Sequence, residues 1–314
     1  NDGILDTAEK SGCQFNSSTS CGTTSSNLNY SLFKSSYLDG KNTLGTDSGM
    51  TRDVAFDSQG NFYVTGGTRA KDFPTTPGAY DETYNTGGQS TNTFGEMDVF
   101  LMKFSPTGAL LWSTLIGGPN YDRAYAVEVG PNDEVFVAGR AGELYPTTAG
   151  TVQPNFLNNT SGGADHGAYG LQNGFVSKFT KTGTLVWSTY MTAGIVRDID
   201  VDAQGNVHIA PTQSKMANPH LTGNAFQKTI AGGFDGMYVK MSADAKNILY
   251  GTYIGGSGKD GTEPAIRVDA SGNAYWNGTT KSTNFPTKNA FQGTYGGGGD
   301  VAVVKFAADG TLVY

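Results

Sequence analysis

Few residues in this chain of 314 have the type and spacing that chemistry requires. Histidine occurs three times, as His166, His208 and His220. No spacing among them would set two imidazoles on one metal. No serine stands in a Gly-x-Ser-x-Gly setting, the sharp turn that exposes a hydrolase nucleophile. Gly296 to Gly299 precede an apolar run and lack a following Lys-Ser/Thr, so a phosphate cradle is not expected. Arg52-Asp53 and Arg197-Asp198 recur at equivalent places. They are candidates to face a shared central channel, but no catalytic residue follows from the linear sequence.

The N-terminal stretch carries the remaining ligand-type residues. A calcium loop places an oxygen ligand at its fifth position, glycine at the sixth, an oxygen or water-bridging residue at the ninth and a bidentate Glu at the twelfth. With Asp2 as the fifth, Gly3, Asp6 and Glu9 fall on the other three. Asp2, Asp6 and Glu9 are therefore candidate calcium ligands, with a plain acidic segment as the alternative. Cys13 and Cys21, the only two cysteines, are expected to form a local disulfide rather than remain free thiols. No His or third Cys accompanies them to make a zinc site, and a disulfide favours an oxidising compartment.

Four copies of one unit position everything after this stretch. One element of the unit is a strand ending in Lys plus an apolar residue, then a turn and a second strand. It starts at Asp98, Asn173, Asp235 and Asp300, and its lysines are Lys103, Lys178, Lys240 and Lys305. A second hairpin precedes each, as in Val54-Ala55-Phe56 and Phe62-Tyr63-Val64 around Asp57-Ser58-Gln59-Gly60-Asn61. Apolar, aromatic and β-branched residues alternating about a turn cluster read as paired strands. Gly60, Gly205 and Gly272 share one register that suits positive φ. The second copy has Gly130-Pro131-Asn132-Asp133-Glu134 there, and a different turn type is expected. Two hairpins per unit mean four short strands. The expected fold is all-β: a β-propeller of four-stranded antiparallel blades, with at least four repeat units. Residues 1–28 read as an acidic, Ser/Thr-rich linker and 29–314 as the propeller.

The same residues resemble the bacterial SBBP-type β-propeller repeat, over about residues 29 to 314. The resemblance rests on Tyr253-Ile254-Gly255-Gly256, Asp269 to Asn273, Asn284-Phe285-Pro286-Thr287 and Tyr295 to Asp300. Asp72-Phe73-Pro74-Thr75-Thr76 and Leu144-Tyr145-Pro146-Thr147-Thr148 fit too, whereas Asn218-Pro219-His220 departs from the pattern. The resemblance implies a fold and no particular chemistry. The acidic N-terminus is similar to the tail of a thrombospondin type 3-like calcium repeat of Bacteroidetes-like surface proteins. Tyr30 to Gly40 look like a last strand without its blade, and the fourth copy reaches Tyr314 part-way along its own. Either the N-terminal strand closes the ring, or further blades belong to a larger parent polypeptide.

Composition narrows the partners. Net charge is −7, charged residues are 16% and glycines number 45, a profile of extracellular β-proteins. Without a basic run the chain is not expected to bind nucleic acid. No apolar stretch approaches the roughly 20 residues that span a bilayer. Recurring aromatics at Trp112, Trp187, Tyr250 and Tyr314 read as packing between blades. The repeated lysines could pair with a repeated Asp such as Asp98, Asp235 or Asp300. The long loops at about residues 69–97 and 142–172 hold Tyr80, Tyr84, Tyr145, Phe156 and Tyr169. Loops on a rigid scaffold carry function, so these five are the candidate ligand-binding residues, for a glycan or protein at the cell surface. The expected role is binding, adhesion or spacing in a secreted or cell-surface bacterial protein, with calcium as a candidate cofactor. The alternative is a propeller-fold carbohydrate-active enzyme, a polysaccharide lyase or glycosidase.

Overall fold

The computed structural model describes residues 38–40, 49–87, 95–157, 169–191, 194–212 and 219–314. The calcium candidates Asp2, Asp6 and Glu9, the Cys13–Cys21 pair and His166 lie outside these residues. The described chain is all-β, with fifteen strands in four antiparallel sheets and no helical element. Sheet 1 is β1 (Gly49–Phe56), β2 (Phe62–Thr68), β3 (Asp98–Phe104) and β4 (Leu110–Ile116). Sheet 2 is β5 (Arg123–Val129), β6 (Val135–Ala141), β7 (Asn173–Phe179) and β8 (Leu185–Met191). Sheet 3 is β9 (Val196–Val201), β10 (Val207–Pro211), β11 (Gly236–Met241) and β12 (Ile248–Ile254). Sheet 4 has three strands, β13 (Asp260–Val268), β14 (Ala274–Thr280) and β15 (Asp300–Phe306). In every sheet the strands pair in chain order, as a meander does.

The turns are built by side-chain carboxylates. In sheet 1 the backbone N–H of Gln59 and of Asn61 donate to Asp57 Oδ1 at 3.0 and 2.9 Å, and Asn61 Nδ2 closes the loop at 2.9 Å on Oδ2. Asp202 and Asp269 repeat this with Gln204 and Asn206, and with Ser271 and Asn273. Gly60 takes φ 77°, the region open to glycine without strain. Sheet 2 differs from expectation. Its turn has the same backbone bonds, Gly130 N to Glu134 O and Asp133 N to Gly130 O. Asp133 itself adopts φ 60° in the glycine's place. The turn type is therefore kept, because Asp tolerates the left-handed region better than most residues.

Three of the four repeated lysines pair with these turns and not with the Asp or Asn that opens each strand. Lys103 meets Asp57 at 2.9 Å, Lys178 meets Glu134 at 3.0 Å and Lys240 meets Asp202 at 2.9 Å. Asp98 and Asp235 instead accept loop N–H groups from Asn85 and Ala231. The reason is direction: Lys103 lies opposite Tyr63 near the far end of β3, beside the turn, while Asp98 begins the strand.

Sheets pack face to face through continuous apolar clusters. Val99 and Leu101 of sheet 1 share a core with Val127, Val135, Val137 and Phe175 of sheet 2. Phe136, Val176 and Trp187 of sheet 2 meet Ile199, Ile209 and Val239 of sheet 3. Tyr238 and Ile254 of sheet 3 meet Ile266, Trp276 and Val304 of sheet 4. Trp112 and Trp187 also donate from Nε1 to Lys181 O at 3.1 Å and Ala243 O at 3.0 Å, each in the next sheet's turn. These indoles are inter-sheet packing. The inner strands β1, β5, β9 and β13 contact one another in that order.

Candidate functional site

All four inner strands break their pairing at the same register. The ladder skips Arg52 in β1, Tyr125 in β5, Arg197 in β9, and Glu263 with Pro264 in β13. An extra residue in one strand kinks it and re-aims the side chain. Here the effect is to gather residues from different sheets at one place.

Tyr125 is the centre. The guanidinium carbons of Arg197, Arg123, Arg52 and Arg140 lie 4.4, 4.6, 5.4 and 5.6 Å from its ring centroid. Arg123 and Arg140 face each other across β5 and β6. Arg140 also stacks over Tyr169 at 4.2 Å, and Tyr169 packs on Tyr121 at 4.9 Å. Arg123 donates to the hydroxyls of Tyr125 and Tyr121, and to the Met50 sulfur at 3.5 Å. Met50, Arg52, Arg69, Met97, Tyr121, Arg123 and Tyr169 line a recess of about 220 Å³.

The electrostatics are unusual for buried arginines. Arg123 is 5% and Arg140 3% exposed, and charged groups this deep are ordinarily paired with a carboxylate. The ion pairs among the described residues include neither of them. Arg123 Nε, Arg140 Nε and Nη1, and Arg197 Nε are buried with no acceptor. Glu263 pairs with Arg197 at 2.9 Å. Burial lowers the Arg140 pKa from its ordinary value, and the charges of Arg123 and Arg197 push the same way. Such a cluster can do one thing well: accept an anion whose oxygens meet the orphaned donors.

Of the residues singled out in the sequence, Arg52 lines this recess and Arg197 joins the arginines around the Tyr125 ring. Asp53 and Asp198 do neither. Asp53 accepts the Val127 N–H at 2.9 Å, and Asp198 accepts the Ile266 N–H at 2.8 Å and Arg267 Nη1 at 2.9 Å. They stitch each inner strand to its neighbour. Of the five loop aromatics only Tyr169 joins the site. Tyr80 lies edge-on to Phe179 at 5.7 Å. Tyr84 is buried beside Phe73 and Phe100. Tyr145 is buried with its hydroxyl 3.2 Å from Ser177 Oγ. Phe156 packs edge-on against Tyr190 at 5.5 Å. What these four show is loop anchoring: Tyr145 and Phe156 meet on Tyr190, and none of the four lines the recess. Arg123 and Arg140 were not visible as site residues. Their only signal is an Arg at strand positions held by Met50 and Gly67 in the first copy.

The two described histidines, His208 and His220, are buried. His208 is fully buried, stacked on Tyr238, and bonded to its hydroxyl at 2.9 Å and to Asp202 at 3.3 Å. Burial pushes His220 down to about 4. Among the described residues no group of three or more His, Cys, Asp or Glu is arranged to hold a metal. Also among them, no helix is long and apolar enough to cross a membrane.

Below the bulges the inner strands carry a second charged set. Arg267 bonds Asp198, and Glu128 is pushed up to about 8, first by burial and then by the neighbouring Asp200 charge. No family model matches the chain, and no curated protein matches it.

Proposed function

We propose that this chain is a β-propeller-type binding module of a secreted or cell-surface protein, and that its ligand presents an anionic group to the arginine–tyrosine recess. One observation carries the reading: Arg123 and Arg140 are buried around Tyr125 with donors that meet no acceptor. A structural arginine this deep would come with its acid, because an unpaired buried charge costs several kcal/mol, on the order of 3–5. The cost is tolerated where a ligand supplies the counter-charge. Net charge is −7 overall, so a diffuse pull on any polyanion is absent. Recognition is local, and it suits a ligand with a planar carboxylate or a sulfate beside a ring that can lie on Tyr125 or Tyr169. Acidic glycans have this form, and an acidic protein surface shares the charge.

The experiment is binding of the purified chain to polygalacturonate, alginate and dextran sulfate, with a neutral glucan as control. Saturable binding to an acidic polymer, weakened at least about tenfold in Arg123→Met, supports the reading. Equal binding to the neutral glucan, or no binding to any acidic polymer, defeats it.

Glu128 favours a second reading, a carbohydrate-active enzyme. A carboxyl held protonated near neutral pH among Asp53, Asp198 and Asp200 is the property of a general acid. Release of new chain ends from the same polymers, lost in Glu128→Gln, would establish it. Binding without release leaves the module as a binder.

A further inference from the structure

One thioether sulfur in the wall of the recess serves as acceptor for two guanidinium groups. Met50 Sδ receives Arg52 Nη2 at 3.4 Å and Arg123 Nη1 at 3.5 Å. All three residues line the recess, with Met97 beside them. A thioether is a weak acceptor for a charged donor. Arg123 is 5% exposed and its Nε meets no acceptor at all. The sulfur therefore stands where a strong acceptor is wanted.

Access singles out the same residue. The chain has seven methionines, of which Met216 lies outside the described residues. Met97, Met102, Met191, Met237 and Met241 are at most 2% exposed, whereas Met50 is half-buried. Oxidation of sulfur side chains follows their exposure. Met97 makes the contrast sharp, because it lines the same recess yet is 1% exposed. Packing explains Met102, Met191, Met237 and Met241, which sit in the apolar clusters. Met50 belongs to none of those clusters.

We propose that Met50 is an oxidation site, and that its sulfoxide closes the recess to anions. The oxidant is a hydroperoxide, of which hydrogen peroxide is the simplest. A sulfur lone pair attacks one peroxide oxygen, so that the S–O bond forms as the O–O bond breaks. The thioether loses two electrons to the peroxide. The departing hydroxide takes the proton of the transferred oxygen and leaves as water. Guanidinium donors beside the sulfur stabilise the charge on that departing oxygen. The new oxygen projects along a lone-pair direction to which Arg52 or Arg123 donates, and it is a far stronger acceptor than the sulfur. The arginines then bond a neutral group of the protein itself, and the oxygen takes room in a recess of about 220 Å³. The loss of affinity rests on the recess binding an anion, as proposed above. The selective oxidation and its effect on stability do not.

The test treats the purified chain with dilute hydrogen peroxide and follows each methionine by peptide mass analysis. Met50 should gain one oxygen at least about tenfold faster than Met97 and the four methionines of the apolar clusters. The urea midpoint of the oxidised wild type should hold or rise, since the buried Arg123 gains an acceptor. Oxidation of a packing methionine disrupts its core and would lower it. Binding of dextran sulfate should weaken at least about tenfold, and treatment with methionine sulfoxide reductases should restore it. Met50→Leu has no sulfur there, so its affinity and midpoint should be the same before and after peroxide. Met50→Gln sets an amide oxygen near the place of the sulfoxide oxygen, and should bind as weakly as the oxidised wild type. Oxidation of Met97 as fast as Met50, a midpoint that falls, or equal binding by oxidised and untreated chain each overturns the proposal. Absence of binding to every acidic polymer defeats the proposed function, and closure of the recess with it, while the rates and the midpoint still decide the oxidation site.

Discussion

Replacing Arg140 with Met separates a ligand site from a structural arginine, because the two make opposite predictions about stability. Arg140 is 3% exposed, with Nε and Nη1 unmet. Each buried donor left unmade costs about 1–3 kcal/mol, so the two together cost about 2–6. Stacking over Tyr169 at 4.2 Å and Tyr125 at 5.6 Å returns about 1–2 kcal/mol per ring. Repulsion from the Arg123 guanidinium opposes that return. The balance leaves the charge unfavourable by about 1–3 kcal/mol in the empty site. Methionine keeps an unbranched apolar stem and removes the charge. Arg140→Met should therefore raise the unfolding free energy by about 1–3 kcal/mol. It should also weaken binding of the acidic polymer by at least about tenfold. Urea unfolding, read by tyrosine and tryptophan fluorescence with and without saturating sulfate, gives the first quantity, and titration with the acidic polymer gives the second. Sulfate should stabilise the wild type more than the variant. A variant less stable than wild type by more than about 2 kcal/mol, with unchanged affinity, would refute the reasoning and make Arg140 a packing residue.

Two further outcomes follow from buried carboxyls. Burial disfavours the charge on Asp202, yet hydrogen bonds from His208, Asn206 and Lys240 outweigh it and hold the carboxyl well below its usual range. That stability is present above the unfolded value near 3.8 and is lost as pH falls below it. Asp202→Ala strands Lys240 and the buried His208, and should cost about 3–5 kcal/mol at neutral pH in urea unfolding, with most of the acid sensitivity gone. Asp122 and Asp98 behave oppositely: burial pushes them up to about 7 and about 8 from 3.8. The folded state then binds more protons than the unfolded one, so stability declines as pH rises from about 4 to about 8. Asp122→Asn should flatten that decline. It should also lose about 1–3 kcal/mol at pH near 5, since one amide oxygen cannot serve both Gly118 and Gly142 N–H. An unchanged slope would show that Asp122 titrates alike in both states.

The repeat was legible because it is local. Strand alternation, the Asp-x-x-Gly-Asn turn and the lysine register all lie within a few residues of one another, and the four sheets follow them. Two errors share a physical source. Asp133 keeps a turn that glycine makes elsewhere, since a positive φ costs Asp little. Lys103 chose Asp57 over Asp98 because cross-strand register, invisible along the chain, sets which carboxylate is in reach. The site was legible in half. Arg52 and Arg197 are related by the repeat and could be found by aligning copies. Arg123, Arg140 and Tyr125 are unique to the second copy, and only the packing of inner strands brings them to the same point. Loop aromatics misled for a related reason: Tyr84 and Tyr145 look like exposed platforms in a polar loop, but they are the anchors that fold the loop onto the sheet.

The skipped residue in each inner strand separates what holds the scaffold from what, on the proposed function, would meet a ligand. Val54, Val127, Ile199 and Ile266 run in the paired part of the ladder, and all but Val54 are sealed between sheets. Two places earlier, Arg52, Tyr125, Arg197 and Pro264 answer to no partner strand. A change at such a position leaves the ladder pairing as it was. Four positions on one constant frame make a small combinatorial alphabet, in which, on the proposed function, Arg, Tyr, Arg and Glu-Pro would spell one selectivity. A chain with Asp or His at the same points would spell another without relearning how to fold. Duplication of the unit therefore copies one position free of ladder pairing along with each sheet, and such positions can diverge one at a time without disturbing the strands that hold them.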